Sequence, residues 1–197
     1  SRILFTLCFI SVLVGQVSFS EHTITTSTDA YDVYAIDLDG DGDIDVLSVS
    51  ASDDKIVWYE NNGSESFTTH TIATSADAPV AIYAIDVDSD GDVDVLSASH
   101  MDNKIAWYEN DGSESFTSHT ITTNADYAED VYAVDLDSDG DVDVLSATGN
   151  PNADTDKITW YENNGSESFT AHDIISLVGA NSVYTADVDG DGDIDVL

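Results

Sequence analysis

The chain repeats itself. Val33-Tyr-Ala-Ile-Asp-Leu-Asp-Gly-Asp-Gly-Asp-Ile-Asp-Val-Leu-Ser-Val-Ser50 returns with conservative changes at 82–99 and 131–148, and a fourth copy, Val183-Tyr-Thr-Ala-Asp onward, runs to Leu197. A second block, Lys55-Ile-Val-Trp-Tyr-Glu-Asn-Asn-Gly-Ser-Glu-Ser-Phe, recurs from Lys104 and from Lys157. Corresponding positions such as Asp37, Asp86, Asp135 and Asp187 lie 49, 49 and 52 residues apart. A fixed period of this size implies one small supersecondary unit used several times, each unit burying its apolar face on the next. Residues 18–24, Ser-Phe-Ser-Glu-His-Thr-Ile, match Ser115–Ile121 and extend the pattern towards the N-terminus.

Each period reads as four short strands, in the first unit Val33–Asp37, Asp45–Ala51, Lys55–Asn61 and Phe67–Thr74. They are rich in Val, Ile, Tyr, Trp and Thr and are separated by Asp, Gly, Asn and Ser, with only 2 prolines in the chain and no run of helical period. The expected fold class is all-β. Four strands in roughly 50 residues is the size of a propeller blade, so the chain holds about three and a half blades. Trp58, Trp107 and Trp160 are expected to pack between neighbouring sheets.

Aspartate falls at alternate positions in each copy. The loops 37–45, 86–94, 135–143 and 187–195 each carry Asp at positions one, three, five, seven and nine, with Gly at six. A hard cation takes six to eight oxygens at about 2.3–2.6 Å, and a tight loop can turn alternate side chains inward while position seven offers its carbonyl. The candidate ligands are therefore Asp37, Asp39, Asp41, Asp43 and Asp45, then Asp86, Asp88, Asp90, Asp92 and Asp94. The third and fourth loops give Asp135, Asp137, Asp139, Asp141 and Asp143, and Asp187, Asp189, Asp191, Asp193 and Asp195. The carboxylates at position seven are expected to point outward and to contribute charge more than coordination. Position twelve is Ser48, Ser97 or Ser146 where a helix-flanked EF-hand needs Glu, so that alternative is excluded.

Charge supports a cationic component. Against 4 Lys and Arg stand 40 Asp and Glu, a formal net charge of −36 that opposes compaction unless something neutralises it. Calcium is the expected cofactor. Nucleic acid is excluded as a partner, because phosphate contacts need basic patches and beyond Arg2 the chain offers only Lys55, Lys104 and Lys157.

Residues 1–15 join one Arg to an apolar run too short to span a bilayer, the pattern of a secretory signal peptide. Cleavage is expected between residues 15 and 20, leaving 16–197 as the repeat region, with no membrane insertion after removal. The expected location is secreted, either extracellular or at the cell surface. The single cysteine, Cys8, lies inside that segment, so the remainder has no disulfide. Leu197 interrupts a strand pattern, and the chain is expected to be a piece of a longer protein.

These repeats resemble the FG-GAP and VCBS families, whose D-x-D-x-D-G-x-x-D loops bind calcium in integrin α-like β-propellers and in secreted bacterial proteins. Carried across by position, the resemblance implies side-chain ligands at positions one, three, five and nine of every loop. It also implies a seven-bladed ring, adhesion or carbohydrate and protein binding, and in some members attachment to polysaccharide lyases. A Phe-Gly…Gly-Ala-Pro segment is absent here.

Strand parity places the aspartate loops and the Asn-Asn-Gly turns on one face, and the second-to-third hairpins and inter-blade links on the other. The first face is nearly invariant between copies, whereas the links read SADAPVA, NADYAED and SLVGANS and one hairpin lengthens to 149–157. An extracellular glycan or protein ligand is expected on the variable face, with Tyr31 and Tyr127 as its aromatics. The alternative is a non-catalytic scaffold of a larger secreted enzyme. No catalytic residue is expected: His22, His70, His119 and His172 recur at one repeat position, which suits a structural role, and no nucleophile–base pair is visible.

Overall fold

The computed structural model describes residues 21, 23–25, 30–150 and 156–197. The expected leader, Cys8, Phe19 and His22 lie outside the described residues, as do 151–155 of the long hairpin.

Every described element is a strand. The first blade is β1 (Ala30–Ile36), β2 (Asp45–Ser50), β3 (Lys55–Asn61) and β4 (Phe67–Ala73). The second is β5 (Pro79–Ile85), β6 (Asp94–Ser99), β7 (Lys104–Asn110) and β8 (Phe116–Thr122). The third is β9 (Ala128–Val134), β10 (Asp143–Thr148), β11 (Lys157–Asn163) and β12 (Phe169–Ser176), and β13 (Thr185–Ala186) with β14 (Asp195–Val196) forms a two-stranded partial blade. Each full sheet is an antiparallel meander in chain order. Register repeats with the sequence: Leu47 opposes Trp58, Leu96 opposes Trp107 and Leu145 opposes Trp160. These are the propeller-type blades that the repeat length implies. Among the described residues no helix is long and apolar enough to cross a membrane.

Blade packing follows from strand alternation. One face of blade one presents Leu47, Val49, Ile56 and Trp58 to Ile82, Ala84, Val95 and Tyr108 of blade two. The next junction repeats this with Leu96, Ile105 and Trp107 against Val131, Val144 and Tyr161. Trp58 and Trp107 are fully buried between sheets, and each buried indole contributes roughly 4–6 kcal/mol by area. Trp160, which faces the partial blade, is only partly covered.

The first strands of successive blades lie side by side around the hub. There Tyr34, Tyr83, Tyr132 and Tyr184 form a column with ring centroids 5.0, 4.7 and 5.2 Å apart. Burial, then the hydroxyl of Tyr132, pushes the Tyr83 phenol well above its usual range. Two side chains stitch the hub between blades: Asp32 accepts from the Ile82 N–H at 3.0 Å, and Asp130 accepts from the Val183 N–H at 2.9 Å.

Candidate metal centres

The aspartate loops connect the first and second strands of each blade, and their shape comes from short-range hydrogen bonds. In the first loop Asp41 N–H donates to Asp39 Oδ1 at 3.1 Å, Gly42 N–H to Asp37 Oδ2 at 3.0 Å and Asp43 N–H to Asp41 Oδ1 at 2.8 Å. The same ladder recurs in the other three loops, with Gly91, Gly140 and Gly192 donating to Asp86, Asp135 and Asp187. Glycine is required at position six: Gly42 and Gly91 adopt φ of 96° and 102°, a region closed to most side chains.

This curl draws carboxylates together. Asp37, Asp39 and Asp41 each place an oxygen within 4.8 Å of the others, as do Asp86, Asp88 and Asp90. In the third and fourth loops the clusters are Asp135, Asp137 and Asp143, and Asp187, Asp189 and Asp195. Asp139 and Asp191, at position five, accept loop N–H groups from Asp141 and Asp193 beside those clusters.

Position nine has a second task. Asp45, Asp94 and Asp143 are completely buried. In the second blade Asp94 Oδ2 accepts from Val87 N–H at 3.0 Å and Oδ1 from Asn110 N–H at 2.8 Å. Asp45 bridges Leu38 and Asn61 in the same way, and Asp143 bridges Leu136 and Asn163. This carboxylate therefore locks its loop to the end of the third strand; Asp143 also joins the carboxylate cluster of its loop, whereas Asp45 and Asp94 lie outside theirs. Desolvation holds Asp94 up to about 6 despite the opposing N–H donors. Burial raises Asp143, and burial first, then like charge, raises Asp39, Asp88 and Asp137.

Position seven faces elsewhere. The carboxylates of Asp43, Asp92 and Asp141 rest against Gly63, Gly112 and Gly165 in the neighbouring turns, so close that a Cβ on any of these glycines would collide with them. They are not among the clustered groups; Asp43, Asp92 and Asp141 are half-buried against these turns, where an outward direction was expected, and Asp193 is exposed.

The donor set fits a hard divalent cation. Asp37 Oδ1 and Asp86 Oδ1 are buried without a hydrogen-bond partner, within carboxylate clusters whose like charges repel and to which no Lys or His among the described residues is ion-paired. All-oxygen donors without His or Cys match calcium chemistry.

The repeated histidines lie on the outer strands. His70, His119 and His172 pack on Trp58, Trp107 and Trp160 with ring centroids 4.5, 4.6 and 4.9 Å apart. Each Nε2 meets Glu60, Glu109 or Glu162 at 2.8, 2.7 and 2.7 Å.

A family model described as an FG-GAP-like repeat matches residues 37–97, 86–146 and 135–197, each match running from one aspartate loop into the next blade. The chain belongs to the FG-GAP-like repeat family. No curated protein matches it. Among solved structures 32 chains match. One is an Agrocybe aegerita lectin described as specifically recognising non-reducing terminal N-acetylglucosamine, with a TM-score of 0.59 and 19% identity over 85% of this chain and 46% of the lectin. The FG-GAP-like chain thus spans about half the length of that lectin and shares its fold.

Proposed function

We propose that these FG-GAP-like repeats form a secreted, calcium-rigidified propeller module that recognises a glycan or protein ligand without catalysing a reaction. The orphaned carboxylate oxygens of Asp37 and Asp86, buried among other carboxylates, carry the calcium assignment. Asp at positions one, three, five and nine supplies side-chain oxygen, and position seven supplies its carbonyl. Bound calcium would offset the like charge of each loop. The chain's own part is to hold the loop curled through its Asx ladder and to couple it to the third strand through the buried ninth aspartate. Metal occupancy then stiffens the blade and the surface it presents.

Recognition is supported by the lectin's similar fold and by the division of the chain into one uniform and one variable face. The scaffold alternative is favoured by the continuous apolar junctions between blades, which serve packing alone. The two readings part on a binding measurement. Immobilised oligosaccharides ending in N-acetylglucosamine, galactose or mannose should retain the protein in calcium if it is a recognition module, and none should if it is a spacer.

Calcium itself is tested by thermal unfolding in calcium and in chelator. Extracellular sites bind at about 10⁻⁴–10⁻³ M, so 10 mM calcium should add about 1.4–2.7 kcal/mol per site. Equal midpoints would refute the assignment. Asp88→Asn with Asp90→Asn should lower the calorimetric calcium stoichiometry by one.

A further inference from the structure

On the face opposite the aspartate loops, one residue in each inter-blade link is held by the preceding blade, and in the two links between complete blades by the following blade as well. Ala78, Tyr127 and Gly179 occupy this position, with φ of 49°, 53° and 81°. Their N–H groups donate to Asp54, Asn103 and Asp156, the last residue of the preceding blade's hairpin. Where the following blade is complete, the link carbonyl accepts in return: Ala78 from His100 N–H and Tyr127 from Gly149 N–H, both at 3.0 Å. The backbone at this seat is fixed from two sides, which is what holds a bulky residue in the left-handed region.

Only one of the three seats carries a large side chain. Tyr127 lies edge-on to His100, with centroids 4.6 Å apart and an interplanar angle of 85°. His100 Nδ1 in turn meets Glu129 Oε1 at 3.3 Å, with both side chains about a quarter exposed. Met101, next to His100 in the chain, is 67% exposed. The corresponding residues at the first junction are Ala51, Ala78 and Val80, and at the third Gly149, Gly179 and Asn181. The packing of the blades therefore does not require a tyrosine, a histidine or a glutamate here.

We propose that Tyr127, His100, Glu129 and Met101 form a subsite for a neutral pyranose of an extracellular glycan, an inference that rests on the recognition reading above. An aromatic face and a thioether complement the C–H face of a sugar ring, while the imidazole and carboxylate give a donor and an acceptor to its hydroxyls. The seat is rigid, so little conformational entropy is lost when the ligand arrives. A net charge of −36 disfavours uronate or sulfated sugars and leaves neutral ones. A cationic peptide would find carboxylates across the whole surface and would gain nothing particular from this junction.

Tyr127→Ala is a fold-compatible probe, because the first seat already holds alanine in the same conformation. Binding of the neutral oligosaccharides named above, and of an oligouronate of equal length, is measured by calorimetry on the full chain in calcium. For the best neutral binder, Tyr127→Ala should weaken affinity at least about tenfold and Tyr127→Phe by much less. The oligouronate should not bind, and the calcium-dependent unfolding midpoint should not move. A neutral sugar held equally well by Tyr127→Ala overturns this subsite and leaves the recognition reading intact. Binding only of the oligouronate overturns the subsite and leaves the recognition reading, whereas binding of no sugar, or of a polylysine control alone, overturns both.

Discussion

Replacing Asp94 should separate the mechanical role of the ninth aspartate from its role toward metal. Its two oxygens are the acceptors for the N–H groups of Val87 and Asn110, residues only 1% and 3% exposed. Asp94→Ala strands both donors where water does not reach, and each buried donor left unpaired costs about 1–3 kcal/mol. The expected loss is therefore about 2–6 kcal/mol. Asp94→Asn keeps one acceptor and sets an amide against the other donor, while removing a buried charge that desolvation already disfavours. Its loss should be the smaller of the two, about 1–3 kcal/mol. Urea unfolding in chelator, followed by tryptophan fluorescence, measures both variants with the metal contribution removed from every sample. An alanine variant within about 0.5 kcal/mol of the parent would show that the loop and hairpin are not coupled through this side chain, and the mechanical argument would fail.

Two further outcomes follow from the same geometry. Gly112→Ala must hold alanine at φ of 71° and drive its Cβ into the Asp92 carboxylate, whereas Gly40→Ala meets a similar φ of 74° with nothing within 4 Å. Chemical unfolding should give about 1–2 kcal/mol for Gly40→Ala and a clearly larger loss for Gly112→Ala; equal losses would remove the steric contact from the account. In chelator, stability should fall as pH rises from about 4 to 6. Asp94 is held at about 6 in the folded state against an ordinary 3.8, so the folded protein retains a proton there that the unfolded chain has lost. That contribution is complete below the unfolded value and is lost as pH rises through about 6. Asp39, Asp88, Asp137 and Asp143 are displaced in the same direction. Calcium should flatten the profile, and a chelated protein that gains stability over this window would contradict the assignment.

Strand positions were legible because turn chemistry brackets every apolar run. Lys55–Asn61 emerges as expected, and Asp45–Ala51 and Phe67–Thr74 end one residue earlier. The first strand begins at Ala30 where the repeat suggested Val33, because it continues through a register shift between Ala30 and Asp32. Strand propensity does not record such a shift, and Asp32 there reaches the next blade. The loop clusters were legible for a different reason. Positions one, three and five are close in sequence, so tight curvature alone brings Asp37, Asp39 and Asp41 together.

Long-range partners were the part that spacing could not show. Asp45 and Asn61 are 16 residues apart, and nothing in a D-x-D-x-D-G-x-x-D pattern says that its last carboxylate also satisfies the backbone of another strand. Spacing likewise could not show that the carboxylate at position seven rests on a glycine of a hairpin 20 residues away in the first two blades and 24 in the third. The clamp around Tyr127 is further removed still, since it draws Asn103, Tyr127 and Gly149 from three separate segments. A signal was nonetheless present. Asp54, Asn103 and Asp156 each immediately precede the lysine that opens the third strand, and all three bear a side-chain carbonyl or carboxylate oxygen. An acceptor kept at one repeat position while the hairpin around it changes in length and sequence implies a backbone donor held in the same place each time. The variable face thus combines a constant backbone clamp with side chains that differ from seat to seat, an arrangement that lets those side chains change without disturbing the packing of the blades.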